Sequence, residues 1–146
     1  MKATFRGSYN HNIDAKGRIC MPVKFREALG DRFVVTRGFD GCLYAFTPDD
    51  WNAFDEQLQE LSIYDKGARE VSRFFSAGSV DAEPDKQGRF QLSAELLNHA
   101  DIKKEAVVVG VGSRIEIWSK ERWEDASTFE NIEDIAANMS ALGLKI

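Results

Sequence analysis

Cysteine and histidine are scarce in this chain, and their scarcity argues against two kinds of site. The 146 residues contain two cysteines and two histidines. Cys20 and Cys42 lie in separate strand-like apolar runs without CxxC spacing, which indicates reduced, buried thiols in place of a disulfide or a metal pair. His11 and His99 have no Cys or His neighbours at zinc-binding spacing, so we expect surface or capping histidines and no metal ligands.

Long apolar runs and low-complexity tracts are also missing. No stretch approaches the roughly 20 apolar residues of a membrane helix, and the N-terminal MKATFRGSYN lacks the apolar centre of a signal peptide. We therefore expect a cytosolic protein. A hydrophobic content of 43% with ten phenylalanines is enough for a packed core, and the length suits one typical domain or two very small ones.

Positive charge is unevenly distributed, although the whole chain carries a net charge of −5. Residues 1–37 contain eight Lys or Arg, among them Lys2, and three acids, whereas residues 77–146 contain eight bases and thirteen acids. A basic end on an acidic body favours a polyanionic partner such as nucleic acid. The alternative is that these charges only solvate the surface.

The motif D-x-x-G-R occurs twice, at residues 14–18 and 85–89. FRGSY before the first copy aligns with SAGSV before the second, and the two share Gly and Ser. Farther along, FVVTRGFDGCLYAFTPDDW (33–51) aligns with EAVVVGVGSRIEIWSKERW (105–123) in its apolar, glycine and turn positions. Agreement of this kind over about 45 residues indicates an internal duplication.

Each copy of the motif predicts a tight turn between two strands. The first strand ends at Asp14 or Asp85, whose carboxylate is placed to accept hydrogen bonds from the turn amides. Gly17 and Gly88 supply the positive φ that such a turn requires. We therefore expect a β-hairpin in each copy, with these four residues in structural roles.

Helix and strand signals alternate after each hairpin. A short helix is predicted with Pro22 at its first position and Gly30 at its end, and its counterpart AELLNHA is capped by Ser93. Two further strands follow in each copy. The other predicted helices are one capped by Thr47, one over residues 68–76, and two acidic helices from Ser119 that break near Asn131 and end at Gly143. The Thr47 helix carries an apolar stripe assigned to the core or a subunit interface: Trp51, Phe54, Leu58 and Leu61.

Neither copy has enough strands to close a core alone, because two hairpins and one short helix leave exposed edges and a bare apolar face. We therefore expect an α+β fold in which two repeats, residues 5–76 and 77–146, pack around a pseudo-two-fold axis. Hairpins from both repeats would share one barrel-like sheet, with helices at its periphery.

The turn motif, followed by [IV]-x-[ILM]-P and a short helix, resembles the SpoVT-AbrB family of swapped-hairpin DNA-binding domains. Two such copies in one chain, beginning FRGSYNHNIDAKGRICMP and carrying RIEIW in the second, resemble the MraZ family. The resemblance covers nearly the whole chain, from Phe5 to about Leu144. The second copy departs from the pattern, since Ser93 stands where the first has Pro22.

The resemblance implies a fold and a function. The fold would be a tandem of AbrB-like swapped-hairpin repeats. The function would be that of a cytoplasmic, nucleoid-associated transcriptional regulator, usually a repressor of the division and cell wall gene cluster. Such a protein binds short direct repeats upstream of its own operon as a ring-shaped homo-oligomer, commonly an octamer. No catalytic activity, no cofactor, no small-molecule substrate and no membrane partner is implied.

Arg18 and Arg89 are the first candidates for DNA contact. An arginine directly after a tight turn projects from a rigid hairpin, and its planar guanidinium suits phosphates or the O6 and N7 atoms of guanine. The alternative is that each arginine pairs with the aspartate across its own turn. Such a pair would hold the guanidinium in place without excluding a DNA contact.

The remaining candidates are unequally divided between the copies. The first copy adds Lys16, Lys24 and Arg26, and the AbrB pattern, whose post-turn helix carries DNA-binding arginines, supports Arg26 and, with less force, Lys24. The second copy keeps Lys86 but has Glu95 and Leu97 in place of the helix cations. We therefore expect the first copy to make most of the contacts, with Arg6 in its first strand as an addition.

An enzymatic function has little support from the residues. The chain contains no Ser/His/Asp set, P-loop or metal cluster. The duplicated aspartates faintly resemble an aspartic protease dyad, but each has a lysine beside it and an arginine four residues on, which keeps it ionised. The remaining alternative is a non-enzymatic interaction scaffold or antitoxin-like adaptor, whose acidic C-terminal helices would hold a partner protein.

Overall fold

The computed structural model describes residues 4–145, so Lys2 of the basic segment and residue 146 at the end of the second predicted repeat lie outside the described residues. The strands are β1 (Phe5–Asn12), β2 (Arg18–Cys20), β3 (Phe33–Arg37), β4 (Leu43–Phe46), β5 (Val80–Ala82), β6 (Arg89–Gln91), β7 (Glu105–Gly112) and β8 (Arg114–Ser119). The α-helices are α1 (Val23–Leu29), α2 (Pro48–Gln59), α3 (Lys66–Gly78), α4 (Ala94–Ala100), α5 (Lys120–Ala126) and α6 (Ile132–Ala137).

The strands form two antiparallel sheets, and the α+β class predicted from the sequence is confirmed. One sheet has six strands in the order β1-β7-β8-β4-β3-β5, and the other pairs β2 with β6. The first strand of each repeat pairs with the third strand of the other, so Tyr9 lies opposite Val108 and Val34 lies opposite Asp81. Strand pairing therefore has a two-fold pattern that follows the duplication.

The predicted hairpin around each D-x-x-G-R motif is only half right. The tight turn is present, closed by the Asp14 N–H to the Arg18 carbonyl (2.9 Å) and the Gly17 N–H to the Asp14 carbonyl (3.0 Å). The direct pairing of its flanking strands is wrong, because β1 pairs with β7 and β2 pairs with β6. The chain leaves β1 at Ile13, whose N–H donates to Lys104 of the other repeat (2.7 Å). Each short strand thus satisfies its backbone groups across the repeats.

The helix caps agree with the sequence except at one position. The Ser93 hydroxyl accepts from the Leu96 N–H and the Thr47 hydroxyl from the Asp50 N–H, at 3.2 and 3.1 Å. Pro22 is the N-cap and not the first helical residue, because its ψ of 138° is extended. The C-terminal helices are present as α5 and α6, and a short 3-10 turn, Ser140–Leu142, precedes Gly143.

Two apolar clusters hold the sheets and helices together. One contains α1, α4 and one set of side chains from the six-stranded sheet, and Phe33 packs edge-on against Phe90 in it. The other lies among α2, α3 and further sheet residues, with Phe54 against Phe75. Trp51, Phe54 and Leu58 of the predicted stripe pack in this second cluster, but Leu61 is 44% exposed. The stripe therefore continues from the core onto the surface.

Candidate nucleic-acid interface

The two-stranded ribbon of β2 and β6 brings the two candidate arginines onto one surface. Its register pairs Arg18 with Gln91, Ile19 with Phe90, and Cys20 with Arg89. Ile19 and Phe90 are buried in the core. Because side chains alternate across a strand, the flanking residues of both strands share the outer face. One ribbon, built by both repeats, thus carries Arg18 and Arg89 on the same face as diagonal neighbours.

The first turn holds Arg18 through its backbone and its side chain. One Asp14 oxygen accepts from the N–H groups of Lys16 (2.9 Å) and Arg18 (2.8 Å), and the other accepts from Arg18 Nε (2.8 Å). These hydrogen bonds, with the Arg18 N–H first, hold the pKa of Asp14 below its ordinary value. Within residues 4–145 the terminal nitrogens of Arg18 form no hydrogen bond, so they are available to a ligand.

The second turn repeats this geometry. Asp85 accepts from the N–H groups of Gln87 and Arg89, both at 2.9 Å, and from Arg89 Nε at 2.8 Å. The same backbone contact lowers the pKa of Asp85. The glycines, Gly17 and Gly88, have φ values of 77° and 82° as the turn requires. The expected alternative, an arginine paired across its own turn, is therefore correct for both copies.

Arg26 lies against the second turn, not against the first turn of its own repeat. Its Nε donates to the Met21 carbonyl (2.7 Å), and a terminal nitrogen contacts Cys20 Sγ (2.9 Å). A Cβ on Gly88 would lie 2.3 Å from Arg26 Nε, so the guanidinium covers this glycine. At the aligned position in α4, Leu97 contacts the place where a Cβ on Gly17 would lie, at 3.5 Å.

Strand pairing explains this exchange. β2 runs from the first turn to the second, and the Met21 N–H donates to the Gly88 carbonyl (2.8 Å) just before α1 begins. The first-repeat helix therefore joins the second-repeat turn. We expected the first-copy turn and helix to act together through Lys16, Arg18, Lys24 and Arg26. This grouping is corrected, because Arg26 lies against the second turn, with Arg89.

The other candidates are exposed and differ in position. Lys16 lies in the first turn, Lys86 in the second, and Lys24 on α1. Arg6 lies on β1 opposite Val111, outside the ribbon. The second turn, whose own following helix lacks cations, therefore lies next to the basic helix α1 of the first repeat.

Sequence reasoning missed the parts played by Cys20 and Gln91. Gln91 Nε2 donates to the Lys16 carbonyl (2.6 Å), and Cys20 Sγ donates to the Gln87 carbonyl (3.1 Å). Each side chain fastens the turn of the opposite repeat to its strand. Cys20 is only half-buried, contrary to expectation, whereas Cys42 is buried as expected; both thiols are free. The available signal was their shared place, two residues after each motif arginine.

Replacing Arg26 by alanine is expected to lower the free energy of unfolding by about 1.5 kcal/mol, because a charged donor and the cover of Gly88 are lost. Lys24→Ala is the matched control, since this exposed lysine lies on the same helix; we expect a change within about 0.5 kcal/mol. Urea unfolding followed by circular dichroism measures both. Equal stability of the two variants would show that Arg26 does not support the turn.

Both histidines are half-buried, so they are less exposed than expected. His99 Nε2 lies 3.1 Å from the Gly38 carbonyl. Burial, and then the charge of Arg26, lower the pKa of the half-buried His11. No group of three His, Cys, Asp or Glu side chains suited to a metal ion occurs in the described part of the chain. Among the described helices, none combines the length and apolarity needed to cross a bilayer.

Comparison with known proteins matches both repeats to one family. The family described as "MraZ protein, putative antitoxin-like" matches residues 4–74 and again residues 75–141. A relative named "Transcriptional regulator MraZ" from Lachnoclostridium phytofermentans is 52% identical over 140 residues, which cover 96% of this chain and 98% of the relative. Relatives of the same name from Ligilactobacillus salivarius and Alkaliphilus oremlandii are 51% and 43% identical, covering 92% and 96% of this chain and 96% and 99% of their own lengths.

Proposed function

The chain belongs to the MraZ family, and from that premise we propose that it regulates transcription by binding promoter DNA. The observation that carries this proposal is the outer face of the β2–β6 ribbon. It presents Arg18 and Arg89, each fixed through Nε by a carboxylate that the turn keeps ionised. The name "Transcriptional regulator MraZ" of the relatives supports the same function.

The ribbon suits the major groove of double-stranded DNA, which admits a two-stranded β-ribbon. Arg18 and Arg89 are diagonal neighbours on it, a spacing of about 7–8 Å. Both side chains could therefore enter the same groove and contact guanines or phosphates within it. Fixing each Nε beforehand reduces the entropy lost when the side chain binds. The exposed lysines Lys16, Lys86 and Lys24 would then contact phosphates and orient the ribbon.

The architecture proposed for this function is a tandem of swapped-hairpin repeats, residues 5–76 and 77–146, around a barrel-like core. Its support is the exchange of first strands between the repeats. The assembly proposed is a homo-oligomeric ring, an octamer by family resemblance, acting as a repressor at the nucleoid in the cytoplasm. Its operator would be short direct repeats ahead of the division and cell wall gene cluster. Several linked ribbons bind such repeats strongly even though each acidic subunit offers few cations.

A second candidate function is that of a protein-interaction adaptor. The words "antitoxin-like" in the family description and the acidic, exposed C-terminal segment favour it. An adaptor, however, has no need for two arginines fixed on one ribbon face, so we place DNA binding first.

Fluorescence anisotropy with the DNA upstream of the protein's own gene tests the proposal. We expect tight binding to a duplex with the direct repeats and weaker binding to a scrambled duplex of equal composition. Affinity should fall steeply between about 50 and 200 mM salt, in proportion to the phosphates contacted. Equal affinity for both duplexes, or binding without salt dependence, would favour the adaptor function.

A further inference from the structure

The C-terminal arm, residues 128–145, has an apolar side with no cover in the single chain. None of its side chains is buried. Ile132 is 47% exposed and Ile135 is 51% exposed. A helix as short as α6, six residues, is marginal in water unless one face packs on a partner. Ile132 and Ile135 are three residues apart and form an apolar stripe on one face of α6. Further exposed apolar residues lie on either side of the helix, Phe129 before it and Leu142 after it.

A matching surface lies where α2 meets α3. We call it the α2–α3 groove, lined by Leu58, Leu61, Ile63, Arg69 and Arg73 together with small or polar residues. Leu61 is 44% exposed and Ile63 is 73% exposed, so its apolar wall is uncovered. Among its described lining residues the charged ones are the two arginines. Arg69 is held in place by the Ile63 carbonyl (2.8 Å), and Arg73 is exposed.

The arm and the groove are complementary in charge as well as in apolar surface. Glu130, Glu133 and Asp134 flank the apolar stripe of the arm, and Lys145 is its one base. We propose that the C-terminal arm of one copy docks in the α2–α3 groove of a second copy of this chain. The apolar stripe would cover Leu61 and Ile63, and the acids would pair with Arg69 and Arg73.

The two contact surfaces differ, so the contact is heterologous. Each copy offers one arm and one groove, and a head-to-tail contact of this kind repeats until the rotation closes a ring. The inference therefore rests on the ring assembly proposed above and names the contact that would build it. Loss of two half-exposed isoleucines from a small contact should be enough to separate the subunits.

The test uses full-length protein and its mass in solution, measured by size exclusion with light scattering. An arm variant, Ile132→Arg with Ile135→Arg, removes the apolar stripe and repels the groove arginines. A groove variant, Leu61→Glu with Arg73→Glu, removes apolar surface from the groove and repels the acids of the arm. We expect each variant alone to be monomeric, while the wild type is an oligomer. An equimolar mixture should form a heterodimer, since one intact groove then meets one intact arm.

Ala28→Arg is the control, because it adds positive charge at an exposed position of α1, outside the arm and the groove, and should keep the wild-type mass. Far-UV circular dichroism should be unchanged in every variant, since the altered positions are exposed. An oligomeric wild type whose mass survives both variants would overturn this contact alone. A monomeric wild type would overturn both the proposed ring and this contact. Intact rings that do not bind the direct-repeat duplex would overturn only the DNA-binding function.

Discussion

Replacing Arg18 by alanine is expected to weaken binding to the direct-repeat duplex by about 10- to 100-fold, because one guanidinium contact to a base or phosphate contributes about 1–3 kcal/mol. The loss should be larger still for a ring, in which every subunit loses the same contact. Fluorescence anisotropy at fixed salt measures it. The salt slope should become shallower by about one for each phosphate contact that disappears.

The fold should survive this substitution. Arg18 is paired with Asp14 near the surface, and such pairs contribute about 1 kcal/mol or less to stability. Arg32→Ala is the matched control, because Arg32 also pairs with a carboxylate, that of Glu83, but is not a residue of β2 or β6. Arg89→Ala should weaken binding about as much as Arg18→Ala, since α1 brings Arg26 to the second turn. Unchanged affinity in the Arg18 variant would show that Arg18 does not contribute to DNA binding.

The Gly110→Ala variant is expected to lose about 3 kcal/mol of unfolding free energy or to fail to fold, because its methyl group has no room. Gly110 lies opposite Gly7 where β1 and β7 pair. A Cβ there would lie 2.2 Å from the Arg6 nitrogen and 2.5 Å from the Phe5 carbonyl carbon, both of them backbone atoms. Backbone in a paired strand cannot move aside as a flexible side chain would, so overpacking at this position separates the strands.

Gly67→Ala provides the matched control for the same chemical change. Gly67 lies in the first turn of α3, and the nearest atom to its added Cβ is a side-chain oxygen of Asp65 at 3.2 Å. We expect this variant to be neutral or more stable by up to about 1 kcal/mol, since alanine favours helix. Thermal and urea unfolding of both variants provide the comparison. A Gly110 variant as stable as the Gly67 variant would show that β1 and β7 do not approach so closely.

Local chemistry made several features predictable from the sequence. The turn around Asp14 follows from an acceptor carboxylate and a glycine at fixed spacing, and both reside within five residues of chain. The caps at Ser93 and Thr47 are equally local. The duplication was visible because it repeats these local signals in register.

Which strands pair with each other was not predictable, because three-residue strands such as β2 are too short to specify their partner strand. The pairing of β2 with β6 places Arg26 against Gly88 and Arg18 on the same ribbon face as Arg89. The positions of Cys20 and Gln91 depend on the same pairing. The candidate residues were therefore identified correctly as surface cations or turn residues, but their grouping needed the three-dimensional structure.

The exchange of strands between the repeats has a consequence for how the protein is made. Phe5 pairs with Gly112, so β1 has no partner until about 100 further residues have been synthesised. At about 5–20 residues per second that wait is on the order of 5–20 s. During this time the edge of β1 is open to other nascent chains. Premature termination within the second repeat would thus release a first repeat that cannot complete its own fold.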